Sequence, residues 1–387
     1  MSRIVRLGDI AKIYSGGTPS RYNPAYWGGD IPWVKTTQIQ NCHISEDDID
    51  EWITKEGMKN SSAKPVPRGS ILMAMIGQGK TRGQVAILDV DATTNQNAAA
   101  IQLDSQHDRD YVFQQLLFRY KHIRNVSNAS GQQNLNLEII RSITFPSPPL
   151  PEQTAIADLL STWDEAIEKT ERLIQAKERR FKAIVQRLVG QKCREWPHVR
   201  PSELFDAISE KNYPEEELLS VTQDRGVIPR SMLEGRVMSP QGNTDSYKLI
   251  RKGDFAISLR SFQGGIEYSE YQGIISPAYT VLRPKKLIDP DFYKLFFKTY
   301  LFIEKYLSIA VIGIRDGKQI SIPDFMNIRI PAPPLDEQKR IAEALSTAQQ
   351  EIDLLSKLVE RYKKQKRGLM QKLLTGQWRV RMDKEVA

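Results

Sequence analysis

Residues 74–81 read Ala74-Met75-Ile76-Gly77-Gln78-Gly79-Lys80-Thr81, which fits a permissive phosphate-loop pattern behind an apolar run. A phosphate loop needs a helix amino terminus directly after its Lys-Thr pair, because the unpaired N–H groups there hold the nucleotide. Here Arg82-Gly83-Gln84-Val85-Ala86-Ile87-Leu88 follows, a turn-and-strand sequence. The expectation is a β-hairpin whose tip offers Lys80 and Arg82 to the phosphates of a polyanionic partner, with an NTPase as the alternative. Two loose carboxylate–lysine sets, Asp291 with Asp316 and Lys318 and Asp324 with Glu337 and Lys339, resemble Mg²⁺-binding nuclease patterns. Glu337 is explained more simply as a first-turn helix residue, because its partner Glu152 in the repeat described below has no lysine two positions on. Asn23-Pro24-Ala25-Tyr26 misses the Asn-Pro-Pro-Tyr signature of adenine methylation by one residue and lacks a glycine-rich cofactor loop, so a plain loop is expected. His43, His107, His122 and His198 are scattered, and Cys42 and Cys193 stand alone, so neither a zinc site nor a disulfide framework is expected. No nucleophile–base set is evident.

The elements that would position such residues must be sought in 387 residues, enough for two or three domains with cores of their own. The net charge of +8 and pI near 9.2 suit a polyanionic partner such as nucleic acid, although charge alone carries no sequence preference. No apolar run reaches the roughly 18 residues of a membrane span. The segment Met1–Asp9 has no apolar stretch after its basic residues, so a cytoplasmic address without membrane contact is expected.

Internal repetition organises the chain. Pro148-Pro149-Leu150-Pro151-Glu152-Gln153 returns as Pro333-Pro334-Leu335-Asp336-Glu337-Gln338, an offset of 185 residues. At that offset residues 146–189 match residues 331–374 at 15 of 44 positions without a gap. Within each copy a seam advances by alternating steps of four and three: Ile156, Leu160, Trp163, Ile167, Thr170, Ile174, Lys177, Phe181, Ile184, Leu188, and then Ile341, Leu345, Ala348, Ile352, Leu355, Val359, Tyr362, Lys366, Leu369, Leu373. Prolines and an acidic residue open each helix, and Gly190 and Gly376 are expected to stop them. About 40 helical residues span on the order of 60 Å. Domain termini usually lie close together, so the second helix is expected to run back along the first as an antiparallel pair.

The stretches outside the helices share a plan. Ser70–Ile76 and Gln84–Leu88 read as strands, with Asp254–Leu259 and Tyr279–Leu282 as their counterparts. An aromatic helical stretch follows in each, 111–118 and 292–297, and then a polar loop, 130–134 and 315–319. The polar residues differ between copies, as two readers of different base sequences would require. The expected architecture is α+β: two mixed α/β domains, 1–145 and 192–330, separated by two long antiparallel coiled-coil helices, 146–191 and 331–377, with a tail at 378–387.

Together with the repeated Pro-Pro-Leu-x-Glu-Gln turns, Ser15-Gly16-Gly17-Thr18-Pro19-Ser20 and Gly29-Asp30-Ile31-Pro32-Trp33-Val34 make the whole chain resemble the specificity subunit of a Type I restriction-modification system. The second domain departs from the pattern by lacking a Gly-Gly-Thr-Pro-Ser counterpart near Leu204-Phe205-Asp206, so its base-contacting loops cannot be carried over from the family. The resemblance implies a non-catalytic reader of a bipartite, asymmetric double-stranded DNA target, with one half read by each domain. It implies that the helices bind two methylation subunits, which use S-adenosylmethionine on adenine, and that a restriction subunit working with ATP and Mg²⁺ joins them. Candidate DNA contacts are Lys35, Thr36, Gln38, Lys80, Arg82, Gln132, Gln133 and Asn134 in the first domain, and Arg260, Gln263, Arg315, Lys318 and Gln319 in the second. Candidate partner contacts are Pro149, Leu150, Glu152, Gln153, Pro334, Leu335, Glu337 and Gln338. A coiled-coil adaptor that joins proteins without reading bases is the structural alternative.

Overall fold

The computed structural model describes residues 3–77, 79–129, 134–233, 244–258, 264–313 and 319–380. The chain divides into two compact units, Met1–Glu171 with Lys357–Ala387, and Arg172–Ser356.

The first unit is built on a five-stranded sheet in the order Ala11–Ser15, Ala98–Leu103, Ile71–Ala74, Val85–Leu88, Cys42–Ile44. Strand side chains alternate between faces, and here both faces are covered. Ile71, Met73, Val85, Ile87, Ala99 and Ile101 meet Tyr111, Val112 and Leu116 of the helix Arg109–Phe118. Leu72, Ala74, Ala86, Leu88, Ala98 and Ala100, with Ile44 of the edge strand, meet Val34, Ile39 and Val66 on the other side. Near-continuous apolar runs, rather than alternating ones, follow from this double burial. The strand Trp27–Val34 pairs with Trp52–Ile53 and Thr93–Thr94 in a smaller sheet beside it.

The second unit repeats the order with four strands: Phe205–Ile208, Tyr279–Pro284, Phe255–Ser258, Ile266–Tyr268. Matching the two sheets corrects one expected equivalence. Tyr279–Pro284 occupies the place of Ala98–Leu103, and the counterpart of Val85–Leu88 is Ile266–Tyr268. The sequence comparison missed the latter strand because it has only three residues and Glu267 sits at its centre. Phe255, Ile257, Ile266 and Leu282 pack under Phe292, Tyr293 and Phe296 of the helix Pro290–Phe296.

The two long helices are Leu150–Val185 and Leu335–Leu373. Every position of both expected seams is buried or half-buried. Their antiparallel course is visible within each unit. In the first, Asp164 pairs with Lys366 at 2.6 Å, Glu171 pairs with Lys363 at 2.9 Å, and the Trp163 and Tyr362 rings meet edge to face at 5.6 Å. In the second, Lys177 pairs with Glu351 at 2.6 Å. The two lysines of the seam, Lys177 and Lys366, thus lay their stems along it and take their ammonium groups out to carboxylates on the opposite helix.

Gly376 ends the second helix as expected: its φ of 76° is left-handed, and its N–H donates to Leu373 O. Gly190 does not end the first. It lies inside a π turn, Gln186–Gln191, that runs on into the 3₁₀ turn Lys192–Arg194. The continued coiling delivers Val189 and Cys193 into the aromatic core of the second unit, which a break at Gly190 would prevent.

Candidate nucleic-acid interface

The strand registers of the first unit put Ser15, Ala98, Ala74, Val85 and Cys42 at one end of the sheet. The loops that leave those ends therefore share one edge, and hydrogen bonds join them. Gly17 N–H donates to Thr94 O at 2.8 Å, Thr18 Oγ1 to Gln96 Oε1 at 2.5 Å, and Thr36 Oγ1 to Asn95 Oδ1 at 2.8 Å. Met75 N–H donates to Asn97 O, Leu135 N–H to Met75 O, and Val85 N–H to Asn41 Oδ1. Five loops rich in Thr, Gln, Asn and Lys thus form one connected polar edge, although up to about 120 residues separate them in sequence.

Close backbone approach explains the two glycines of the Gly-Gly-Thr-Pro-Ser segment. A Cβ on Gly16 would lie 1.9 Å from Thr94 O, and one on Gly17 would lie 2.3 Å from Ser62 C. Gly17 O also accepts the Trp33 indole N–H at 3.0 Å. The Arg21 guanidinium lies 3.6 Å from the Trp27 ring centre and pairs with Glu51, whose carboxyl it holds below the usual range by hydrogen bonding.

The residues expected at this edge divide into two groups. Lys80 and Asn134 are exposed, and Lys35 is half-buried with its ammonium 2.9 Å from the exposed Asp50. Thr36 is buried against Asn95. The Gln38 amide is occupied within the fold: its oxygen accepts from Lys35 N–H, and its nitrogen donates to Asp48 O. Arg82 is corrected most clearly, being only 8% exposed. The chain turns inward after Thr81, and the Arg82 carbonyl faces Arg124. The hairpin itself is present, closed by Ala74 N–H to Gln84 O and Gly83 N–H to Ala74 O, with Gly77, Gly79 and Gly83 in the left-handed region. A strand rather than a helix follows Lys80-Thr81, which removes the phosphate-loop geometry. Gln132, Gln133, Arg260, Gln263, Arg315 and Lys318 lie outside the described residues. Gln319 is exposed on the short strand Gln319–Ile320, paired with Val311–Ile312.

The repeated Pro-Pro-Leu-x-Glu-Gln turns prove to be internal clamps, which corrects the expectation that all their residues face partners. Gln153 donates to Pro148 O at 2.8 Å and accepts from Asp108 N–H at 2.9 Å. Gln338 repeats this, donating to Pro333 O at 2.8 Å and accepting from Asp289 N–H at 2.8 Å. Asp108 and Asp289 in turn cap the aromatic helices through Tyr111 N–H and Phe292 N–H. Each buried glutamine therefore locks the start of a long helix to the start of a domain helix. Its amide supplies the donor and acceptor that this junction needs, and glutamate would supply no donor. Glu152 is buried and held by Arg379. Glu337 accepts from Lys192 Nζ at 2.8 Å and Trp196 Nε1 at 3.0 Å, and Lys192 keeps its carboxyl below the usual range. Both oxygens being held in this way, Glu337 is not placed as a nuclease carboxylate. Pro149, Leu150 and Pro334 are exposed and Leu335 is half-exposed. Asn23 accepts from Ala25 N–H as the cap of a 3₁₀ turn, and no cluster of three or more metal-ligating side chains occurs among the described residues.

A family model for the Type I restriction modification DNA specificity domain matches residues 2–178 and again residues 194–361. The chain belongs to this family. The tandem match bears out the duplicated plan and the family resemblance read from the sequence. The Type I restriction enzyme MjaVIII specificity subunit of Methanocaldococcus jannaschii is 24% identical over 407 residues, covering 98% of this chain and 93% of that protein. The EcoR124I/EcoR124II specificity subunit of Escherichia coli is 28% identical over 164 residues, 41% of this chain and 40% of its own length. Two solved structures share the fold: the S subunit of a Type I system from M. genitalium, with a TM-score of 0.58, 16% identity and 96% coverage of both chains, and the HsdS subunit from Thermoanaerobacter tengcongensis, with a TM-score of 0.52, 20% identity and 97% coverage of both. Specificity subunits are the non-catalytic members of Type I systems, with two target-recognition domains, and the chemistry lies in the modification and restriction subunits. No helix among the described residues is long and apolar enough to cross a membrane.

Proposed function

We propose that the first domain, residues 1–145, and the second, residues 192–330, each read one half of a bipartite, asymmetric double-stranded DNA target through the loop edge of their sheets. The observation that carries this reading is the convergence of five hydrogen-bonded polar loops on one edge of the first sheet. Asn, Gln, Thr and Lys side chains there offer the donors and acceptors that base edges and phosphates recognise. The interlocking of the loops supports readout by a preformed surface, which reduces the cost of ordering side chains on binding.

The long helices are the docking surface for two methylation subunits in this reading. Leu159 in the first unit, and Leu173 and Leu354 in the second, stand exposed outside the seam, where a helix pair facing only solvent would carry polar residues. The proline turns around Pro149, Leu150, Pro334 and Leu335 remain accessible beside them. S-adenosylmethionine belongs to the methylation subunits and ATP with Mg²⁺ to the restriction subunit, and the assembly works in the cytoplasm.

The test is to reconstitute the full chain with a methylation subunit and map methylated adenines across a genome. The expected result is a two-part motif with a fixed spacer, together with binding that weakens steeply with salt. Methylation without base preference would overturn the reading in favour of an adaptor. Deleting one heptad from each long helix is expected to shorten the spacer by about 10 Å, roughly three base pairs.

A further inference from the structure

In the second unit, a three-way junction of one lysine joins segments that the sequence separates widely. Lys298 lies just beyond the helix Pro290–Phe296. Its ammonium donates to Gln223 O at 2.9 Å, to Gly264 O at 2.8 Å and to the Glu267 carboxylate. Three donors meet three acceptors, which uses the full capacity of an ammonium group. Glu267 is about 5% exposed, and burial pushes its carboxyl upward. Its other carboxylate oxygen has no partner among the described residues. Such a group is costly to keep, and its side-chain partner here is the Lys298 ammonium.

Lys298 holds a turn at the loop edge. Thr222–Gly226 is a tight connection closed by Thr222 Oγ1 to Gly226 O at 2.9 Å and by Arg225 N–H to Thr222 Oγ1 at 3.1 Å. Gln223, Asp224 and Arg225 are exposed on it; one Arg225 guanidinium nitrogen donates to Met232 O at 3.0 Å, which leaves the other donors of the group for a ligand. The turn leans on Gly264, where a Cβ would lie 2.8 Å from Gln223 Cγ, and Gly264 sits two residues before the strand Ile266–Tyr268. That strand begins at the same end of the sheet at which Ile208 and Ser258 finish, the end equivalent to the polar edge of the first domain.

We propose that Lys298 is a positioning residue for base recognition by the second domain, holding the exposed Gln223–Arg225 turn against the sheet edge so that the Gln223 amide and the Arg225 guanidinium determine part of its half-site. Glutamine and arginine are the side chains suited to bidentate contacts with adenine and guanine edges, and such contacts discriminate only when the backbone carrying them is fixed. The first domain secures its hairpin at the equivalent place by different means: Tyr120 donates to Lys80 O, and Arg124 donates to Tyr120 Oη at 2.8 Å. Replacing one anchor by another between two readers of different sequences is what a specificity device requires.

The inference rests on the reading of the two domains as DNA readers, and the experiment separates the two. Full chain carrying Lys298→Met, Lys298→Arg or Gln223→Ala is reconstituted with the methylation subunit and challenged with targets randomised in one half-site at a time. Lys298→Met is expected to lower discrimination in one half-site by about tenfold or more while the other stays as in wild type. Lys298→Arg should recover part of that loss, and Gln223→Ala should relax a subset of base pairs in the same half-site at unchanged melting temperature. Wild-type selectivity in both half-sites with Lys298→Met, equal loss in both, or an unaltered motif with Gln223→Ala would overturn the inference. Absence of base preference in the wild-type complex would instead overturn the underlying function.

Discussion

Ile71, Ile87 and Ile101 stand side by side across three strands of the first domain, and the same three strand positions in the second hold Phe255, Tyr268 and Leu282. The covering helices follow suit. Tyr111, Val112 and Leu116 close the first layer, whereas Phe292, Tyr293, Phe296 and Phe297 close the second, with Phe205, Phe255 and Phe297 in mutual ring contact. An aliphatic core and an aromatic one therefore support one strand order. The Gln153 and Gln338 clamps, by contrast, are alike to within 0.1 Å in the two hydrogen bonds they share. What repeats is the junction between domain and long helix. The interior and the loop edge have diverged, which is the freedom a duplicated reader needs to recognise two unlike half-sites.

The largest expected effect tests the aromatic layer. Phe255→Ala removes a ring that touches Phe205, Tyr268 and Phe297, and should destabilise the second unit by about 3–5 kcal/mol. Hydrogen exchange should show lost protection in Phe205–Ile208 and Tyr279–Pro284, while Ile71–Ala74 keeps its own. Loss of protection in both units together would break the picture of two separate cores.

Next in size are the clamps. Gln338→Ala leaves Asp289 N–H and Pro333 O without their partner and should cost about 1–3 kcal/mol. Gln153→Ala should cost about the same, through Asp108 N–H and Pro148 O. Calorimetry of both variants checks the equivalence, and a large effect from one with none from the other would refute it.

A smaller effect concerns Glu337 at the start of the second long helix. Lys192 lowers the Glu337 carboxyl relative to an unfolded chain, so the pair contributes stability above the ordinary carboxylate value of about 4.3, and this is lost as pH falls through the lower folded value. Glu337→Gln should therefore cost up to about 1 kcal/mol near pH 7, and the gap from wild type should close in acid. A gap that widens below pH 4 would contradict the assignment.

How much of this was legible in the sequence depends on the range of the contacts. The long helices were readable because their seam is periodic and local, and two copies in one phase made the pattern unmistakable. The glutamine clamp left a signal that was seen but misread. Gln153 and Gln338 persist while their neighbours Pro151 and Asp336, or Thr154 and Lys339, differ, but persistence alone does not say whether a residue faces a partner or the interior. The acceptor sites lie 45 and 49 residues away, beyond any local rule. Gly16 and Gly17 show the same limit, since their need arises at Thr94 and Ser62. Arg82 was misplaced because hairpin chemistry predicts the turn but not which of its side chains points inward. Lys298 and the Gln223 turn carried no motif at all, because an ammonium that joins three segments becomes visible only once those segments have folded together.

The smallest expected change in stability, and the one most specific to the loop edge, comes from Lys80→Ala. Lys80 is exposed at a hairpin fixed through its backbone: Tyr120 grips the Lys80 carbonyl, not its ammonium. Truncating the side chain should thus leave unfolding within about 0.5 kcal/mol of wild type. If the ammonium meets phosphate, the slope of log affinity against log salt should fall by about one, with affinity reduced evenly across target sequences. Arg82→Ala should do the reverse, because its side chain is buried: stability falls, and any loss of binding follows the loss of fold. An Arg82 variant that stays stable but loses one unit of salt slope would return that residue to the DNA-facing surface and undo the division drawn between the two neighbours.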